Sequence, residues 1–139
     1  MDEMPQLNTG RCLCGEVRYQ VAGRLPDFEV CHCPQCQQAQ GGACVVVAPI
    51  SASMFKMLTG AEMLRVYRAS PAKERVFCSR CGSPLFSRRD EHPDRLRLRV
   101  GTLDDVRNTR VASHAYVESK VDWFEIGDAA PRHPGPRPA

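Results

Sequence analysis

The sequence predicts a mainly β domain, and three observations carry that reading. Short apolar segments alternate with polar residues at a period of two, Gly, Pro and Asp turns punctuate them, and no long stretch has helical periodicity. "EVRYQVA" sets Val17, Tyr19 and Val21 against Glu16, Arg18 and Gln20, which gives one buried face. "CVVVAPI" is continuously apolar and reads as a central strand. "EMLRVYRA" and "RVFCS" follow as further strands. "DRLRLRV" alternates Leu96, Leu98 and Val100 with Arg95, Arg97 and Arg99, and "SHAYVES" and "VDWFEI" complete the series. Helix is confined to a turn after Pro34, where proline suits the first helical position, and a turn around "SASMF" with Ser51 as its N-cap.

With 139 residues the chain suits one domain with a modest core, so bound metal is expected to contribute to folding. The domain is read as residues 8–127, followed by a Pro-rich tail over 128–139. There "PRHPGPRPA" holds four prolines and a glycine, a composition expected to be disordered or draped over the surface. No apolar run is long enough to span a membrane, and "MDEMPQLNTG" has neither a basic nor an apolar leader region. The cytoplasm is therefore the expected compartment. A net charge of +3 is too weak to argue for nucleic acid.

Eight cysteines without an export signal point to metal rather than disulfides, because clustered thiols in a reducing compartment bind metal more often than they oxidise. Partners one or two residues apart also fit disulfide geometry poorly. Residues i and i+2 of a strand project from one face, so Cys12/Cys14 and Cys31/Cys33 each read as a two-sulfur clamp on a strand. Cys78 and Cys81 form a tight knuckle, with Gly82 to turn the backbone and Pro84 to prevent a following helix. Joining Cys12 and Cys14 to Cys78 and Cys81 closes a four-thiolate site with no open position, which is the pattern of structural zinc. Cys31, Cys33 and Cys36 remain. Three protein ligands with an exchangeable fourth match a catalytic zinc site, so the expectation is two zinc ions per chain.

Other assignments stay open beside that one. A single metal site would leave the other cluster idle or redox-active. Cys44 could complete the second site, although an inert cysteine opening an apolar strand is the commoner case. His32 could ligate, but its place between two same-face cysteines points it to the opposite face. His114 sits in a strand pattern and reads as an ordinary packed histidine.

Five blocks, "GRCLCGEVRY", "CHCPQCQQAQGGA", "FCSRCGSPL", "VGTLDD" and "HAYVESKVDWFEI", together resemble the glutathione-dependent formaldehyde-activating enzyme family, from about Gly10 to Ile126. The resemblance implies a β-tent fold of twisted antiparallel sheets with two zinc ions. It implies structural zinc on Cys12, Cys14, Cys78 and Cys81, and active-site zinc on Cys31, Cys33 and Cys36. It also implies carbon–sulfur bond formation between glutathione and formaldehyde, a lyase-class activity giving S-hydroxymethylglutathione. His32, Gln35 and Gln38 are near enough in sequence to donate a proton or touch substrate.

The competing class is a two-zinc binding or chaperone module for a protein or nucleic acid. Its best feature is the row Arg95, Arg97 and Arg99, which reads as a solvated strand face given the interspersed Asp90, Glu91 and Asp94. Arg18, Lys73, Arg75 and Arg80 are candidate anion partners, with solvated surface as the commoner role. An iron–sulfur protein is disfavoured by the spacing. Trp123 and Phe124 are expected to close the core near the chain end.

Overall fold

Alternating side chains give several strands, β1, β2 and β9 among them, a core face and an outward face, and two sheets result. The computed structural model describes residues 6–138. Its strands are β1 (Leu7–Arg11), β2 (Arg18–Ala22), β3 (Phe28–Cys31), β4 (Val45–Ser51), β5 (Phe55–Thr59), β6 (Leu64–Ser70), β7 (Lys73–Cys78), β8 (Pro84–Arg89), β9 (Arg95–Arg99) and β10 (Val111–Ala115). A small sheet has the order β1-β2-β5, and a large sheet runs β10-β3-β4-β9-β8-β7-β6. All pairs are antiparallel except β10 with β3. The chain is thus mainly β, as the alternation predicts. No helix among the described residues is long and apolar enough to cross a membrane.

The core lies between the sheets. Val17, Tyr19 and Val21 point into it from the small sheet, and Ala48, Ile50, Val76, Leu85, Leu96 and Leu98 meet them from the large one. Three aromatic rings bridge the layers. Tyr19 stacks on Phe55 with centroids 5.0 Å apart, and Phe55 meets Phe86 edge-on at 5.4 Å. The Tyr19 hydroxyl lies 2.6 Å from Thr102 Oγ1, which satisfies it in a buried setting that pushes its pKa up to about 12. Burial of each large aliphatic side chain contributes about 1.5–3 kcal/mol. Pro49 is tolerated in β4 because β3 pairs only with Val45–Val47, so the missing donor breaks no ladder on that side.

The one α-helix among the described residues, α1 (Pro34–Gln40), has two turns rather than one. Pro34 opens it, the Cys33 sulfur accepts from Cys36 N at 3.4 Å as N-cap, and Gly41 closes it in the left-handed conformation. Ser51 precedes a short 3₁₀ turn over Ala52–Met54 without capping it by its side chain; its hydroxyl instead lies 3.0 Å from that of Ser53.

"VDWFEI" is not a strand. A 3₁₀ turn at Val117–Ser119 leads the chain away from β10, and Lys120 Nζ takes the carbonyls of Val121 and Phe124 that a ladder would have used. Trp123 is 70% exposed and Phe124 is also exposed, so the pair does not close the core. The C-terminal segment returns along β10. His114 N donates to Pro131 O (2.9 Å), His133 N to His114 O (2.8 Å) and Tyr116 N to Gly135 O (2.9 Å).

Two cysteine clusters and a cationic cavity

The first cluster forms where the two sheets meet. Cys12 follows β1 and Cys14 lies in the turn to β2, while Cys78 ends β7 and Cys81 lies in the turn to β8. Their four sulfurs lie within 4.8 Å of one another. The Cys12–Cys14 clamp therefore sits on a turn rather than on a strand as expected. Gly15 N donates to Cys12 O at 3.1 Å, and Gly82 N donates to Cys78 O at 2.8 Å, so the two halves are matching knuckles. Gly82 has φ +79°, a conformation that disfavours a side chain.

Donors already face these sulfurs. Val17 N–H reaches Cys12 Sγ at 3.3 Å and, against the opposing effect of burial, holds that thiol below its usual pKa. Burial likewise opposes ionisation of Cys81, but the Ser83 hydroxyl and the backbone N–H groups of Cys14 and Ser83 bring it down to about 5. Four sulfurs bonded at 2.3 Å to one tetrahedral ion would stand roughly 3.8 Å apart. Cys12 to Cys14 is 3.5 Å and Cys14 to Cys78 is 3.9 Å, so the donor set fits one metal ion.

The second cluster is local. Cys31 ends β3, Cys33 caps α1, and Cys36 lies in the first turn of that helix, where the turn brings its sulfur within 4.8 Å of the other two. Val45 and Val47 of β4 pack behind it. The Cys36 thiol is held below its usual pKa. Hydrogen bonding from Cys31 outweighs the burial that opposes it, Cys33, Lys73 and Arg75 add to the effect, and its pKa falls to about 5. Cys31 is raised in turn, first by Cys36 and then by burial. Three thiolates converging in this way can also hold a metal ion. Cys44 lies outside the cluster, and burial pushes its thiol up.

The three sulfurs open onto a cavity of about 800 Å³, whose lining contains none of Cys12, Cys14, Cys78 or Cys81. Lys73 of β7 and Arg97 and Arg99 of β9 line the same cavity. Leu96 and Leu98 turn to the core as the alternation predicts. Arg95 is exposed, as a solvated face requires, but Arg97 is half-buried and Arg99 buried. The helix and the C-terminal segment roof that side of the sheet: Arg99 Nε donates to Gln40 Oε1 (3.4 Å), and both Arg97 and Arg137 pair with Glu29. Arg99 is 5% exposed, and burial, then Arg75, lower its pKa to about 10. Burial, then Arg75, bring Lys73 down to about 8. Both remain cations at neutral pH.

The other residues singled out in the sequence divide plainly. Gln35 lines the cavity, whereas Gln38 is exposed and not part of its lining. His32 is fully buried away from that lining, with Nε2 2.9 Å from His114 Nδ1, and burial lowers its pKa. His114 Nε2 meets the Asp128 carboxylate at 3.0 Å. Arg80 pairs with Glu16 on the surface, and Arg18 donates to Gly15 O. Sequence reasoning missed Gln37, whose Nε2 donates to His32 O (2.7 Å) and Ser119 O (2.9 Å). It also missed Arg137, masked by a composition that reads as a disordered or surface-draped tail.

Known proteins share this architecture. The sequence profile of the glutathione-dependent formaldehyde-activating enzymes matches residues 7–119. A Halomonas elongata protein assigned by name to those enzymes is 32% identical over 84% of this chain and 79% of its own length. An uncharacterized lyase of Schizosaccharomyces pombe is 20% identical over 90% of this chain and 88% of its own. The chain spans only about half the length of two other fungal relatives, 46% of one from Fusarium vanettenii and 54% of one from Aspergillus flavus. A crystal structure of a Rhodobacter sphaeroides protein superposes with a TM-score of 0.60 and 26% identity, covering 72% of this chain and 91% of that one. Sequence profile, relatives and fold agree: the chain is a member of the glutathione-dependent formaldehyde-activating enzyme family.

Proposed function

We propose that the chain is a zinc-dependent carbon–sulfur lyase that condenses a small thiol, glutathione by family, with formaldehyde or a related aldehyde. One observation carries this reading: Cys31, Cys33 and Cys36 all face a cavity large enough for a tripeptide thiol. In this reading Cys12, Cys14, Cys78 and Cys81 hold structural zinc, and the three-cysteine cluster holds a second ion with one position free. That ion would supply Lewis acidity, favouring the thiolate form of a thiol that reaches it.

The rest belongs to the chain. Lys73, Arg97 and Arg99 favour an anionic ligand beside the cluster, and the valine floor of β4 limits water around it. The thiol gives its proton to solvent and its sulfur bonds to the aldehyde carbon as the C=O π pair moves to oxygen. Lys73, at about 8, is suited to hand that oxygen a proton and regain one from solvent. The product is RS–CH₂OH from RSH and CH₂O, with no oxidant or reductant required.

The test is titration of cobalt-substituted protein with glutathione, read by its thiolate-to-cobalt charge-transfer band, alongside elemental analysis for two metal ions per chain. A saturable new band supports the reading. An unchanged spectrum at saturating glutathione overturns it in favour of a metal-stapled binding module.

A further inference from the structure

Arg137 reaches the cavity from the C-terminal segment, beyond the residues that the family profile matches. The segment is held in place. Its backbone pairs with β10 through Pro131, His133 and Gly135, and the Asp128 carboxylate anchors its start at 3.0 Å from His114 Nε2. Prolines at 131, 134, 136 and 138 restrict the backbone, which lowers the entropy lost in ordering it. The Arg137 side chain is only 19% exposed.

Charge on this wall is unbalanced. Arg137 and Arg97 converge on the same Glu29 oxygen, at 2.6 Å and 3.2 Å. One carboxylate thus serves two guanidiniums and leaves a surplus positive charge. One terminal nitrogen of Arg137 is buried with no acceptor among the described residues. A buried charged donor without an acceptor is costly unless a ligand supplies one. Arg97 also lies within electrostatic reach of Cys31, so the pair stands beside the three-sulfur cluster.

We propose that Arg97 and Arg137 form a two-guanidinium clamp for a carboxylate of the substrate, so that the cavity selects thiols that carry carboxylates. Selection among thiols rests on the thiol-binding reading of the three-cysteine cavity, whereas the carboxylate clamp itself does not, and it assigns the C-terminal segment a share in recognition. A guanidinium matches a carboxylate with two parallel N–H donors, a geometry that a lysine cannot reproduce.

S-methylglutathione keeps both carboxylates but has no free thiol, so its binding reports the clamp independently of sulfur chemistry. Calorimetric titration of the metal-loaded full chain should show Arg137→Ala weakening S-methylglutathione by about tenfold or more, the loss expected for a charge-assisted bond. The diethyl ester of S-methylglutathione should bind both proteins equally. Glu29→Gln removes the competing internal carboxylate and should tighten S-methylglutathione, a gain that damage to the fold does not produce. Equal affinity of Arg137→Ala and the unaltered chain for S-methylglutathione, or equal weakening of the acid and its ester, overturns the clamp. A silent cobalt spectrum with glutathione alongside carboxylate-dependent binding of S-methylglutathione would sink the thiol reading while leaving the anion clamp standing.

Discussion

The sulfurs of Cys14 and Cys78 stand 3.9 Å apart although 64 positions separate them. Cys14 belongs to the β1–β2 turn and Cys78 to the end of β7, so this pair joins the small sheet to the large one. Between Cys31 and Cys36 the separation is five positions, and their convergence needs only one turn of α1.

Loss of a ligand should therefore have different effects at the two clusters. Cys78→Ser should lower the melting temperature by more than roughly 10 °C, because metal binding here is coupled to closure of the sheets. Cys33→Ser should keep the fold, since serine is itself a good N-cap for α1, while the metal content falls by one ion. Calorimetry combined with elemental analysis measures both. Equal destabilisation by the two substitutions would contradict the division into structural and open sites.

Anion affinity should fall as pH rises through about 8. Burial, then Arg75, lower the pKa of Lys73, so it is positive below about 8 and neutral above, and an anion binds the positive form better. S-methylglutathione titrations between pH 6.5 and 9.5 should show this decline, and Lys73→Gln should flatten it. The stability effect has the opposite sign. The unfolded chain binds this proton more tightly than the fold does, so stability attributable to Lys73 rises between about 8 and 10.5. A profile unchanged by Lys73→Gln would remove the lysine from the binding wall.

Asp128→Asn should loosen the C-terminal segment without disturbing the core. Hydrogen exchange at the His133 and Tyr116 amides should accelerate at least several-fold, while amides of the β4–β9 ladder keep their protection. The hydrogen bond from His114 and that from Ala130 N lower the Asp128 pKa. The anchor is thus retained above the usual carboxylate range and lost as pH falls below it. Uniform acceleration across both regions would mean that the segment and core open as one unit.

Gly82→Ala should cost about 1 kcal/mol through backbone conformation alone. No atom lies within 4 Å of an added Cβ, but φ is +79° at the knuckle that presents Cys78 and Cys81. Urea unfolding with bound metal would measure it; a neutral result would show that the knuckle relaxes without strain.

The cysteine groups were legible because spacing in sequence limits which sulfurs can meet, and the same seven sulfurs converge in fours and threes. Val17, Tyr19 and Val21, and Leu96 with Leu98, were legible because period-two burial needs no knowledge of the partner. The short strands at Leu7–Arg11, Phe28–Cys31, Phe55–Thr59 and Pro84–Arg89 were not singled out. "FEVC" and "LNTGR" are too brief for a pattern and owe their conformation to neighbours. Arg97 and Arg99 were assigned to water because alternation separates two faces but does not say what covers the second. Here α1 and the C-terminal segment cover it. Trp123 and Phe124 failed in the opposite direction, since aromatic character marks burial only on average.

Gln37 has a mechanical consequence. Its single amide nitrogen tethers the His32 carbonyl and the Ser119 carbonyl at once, coupling the loop that aims Cys31 and Cys33 to the corner from which the chain leaves β10. A guest pulling on that corner would shift the aim of the thiols too, so grip at one end of the cavity would be transmitted as alignment at the other.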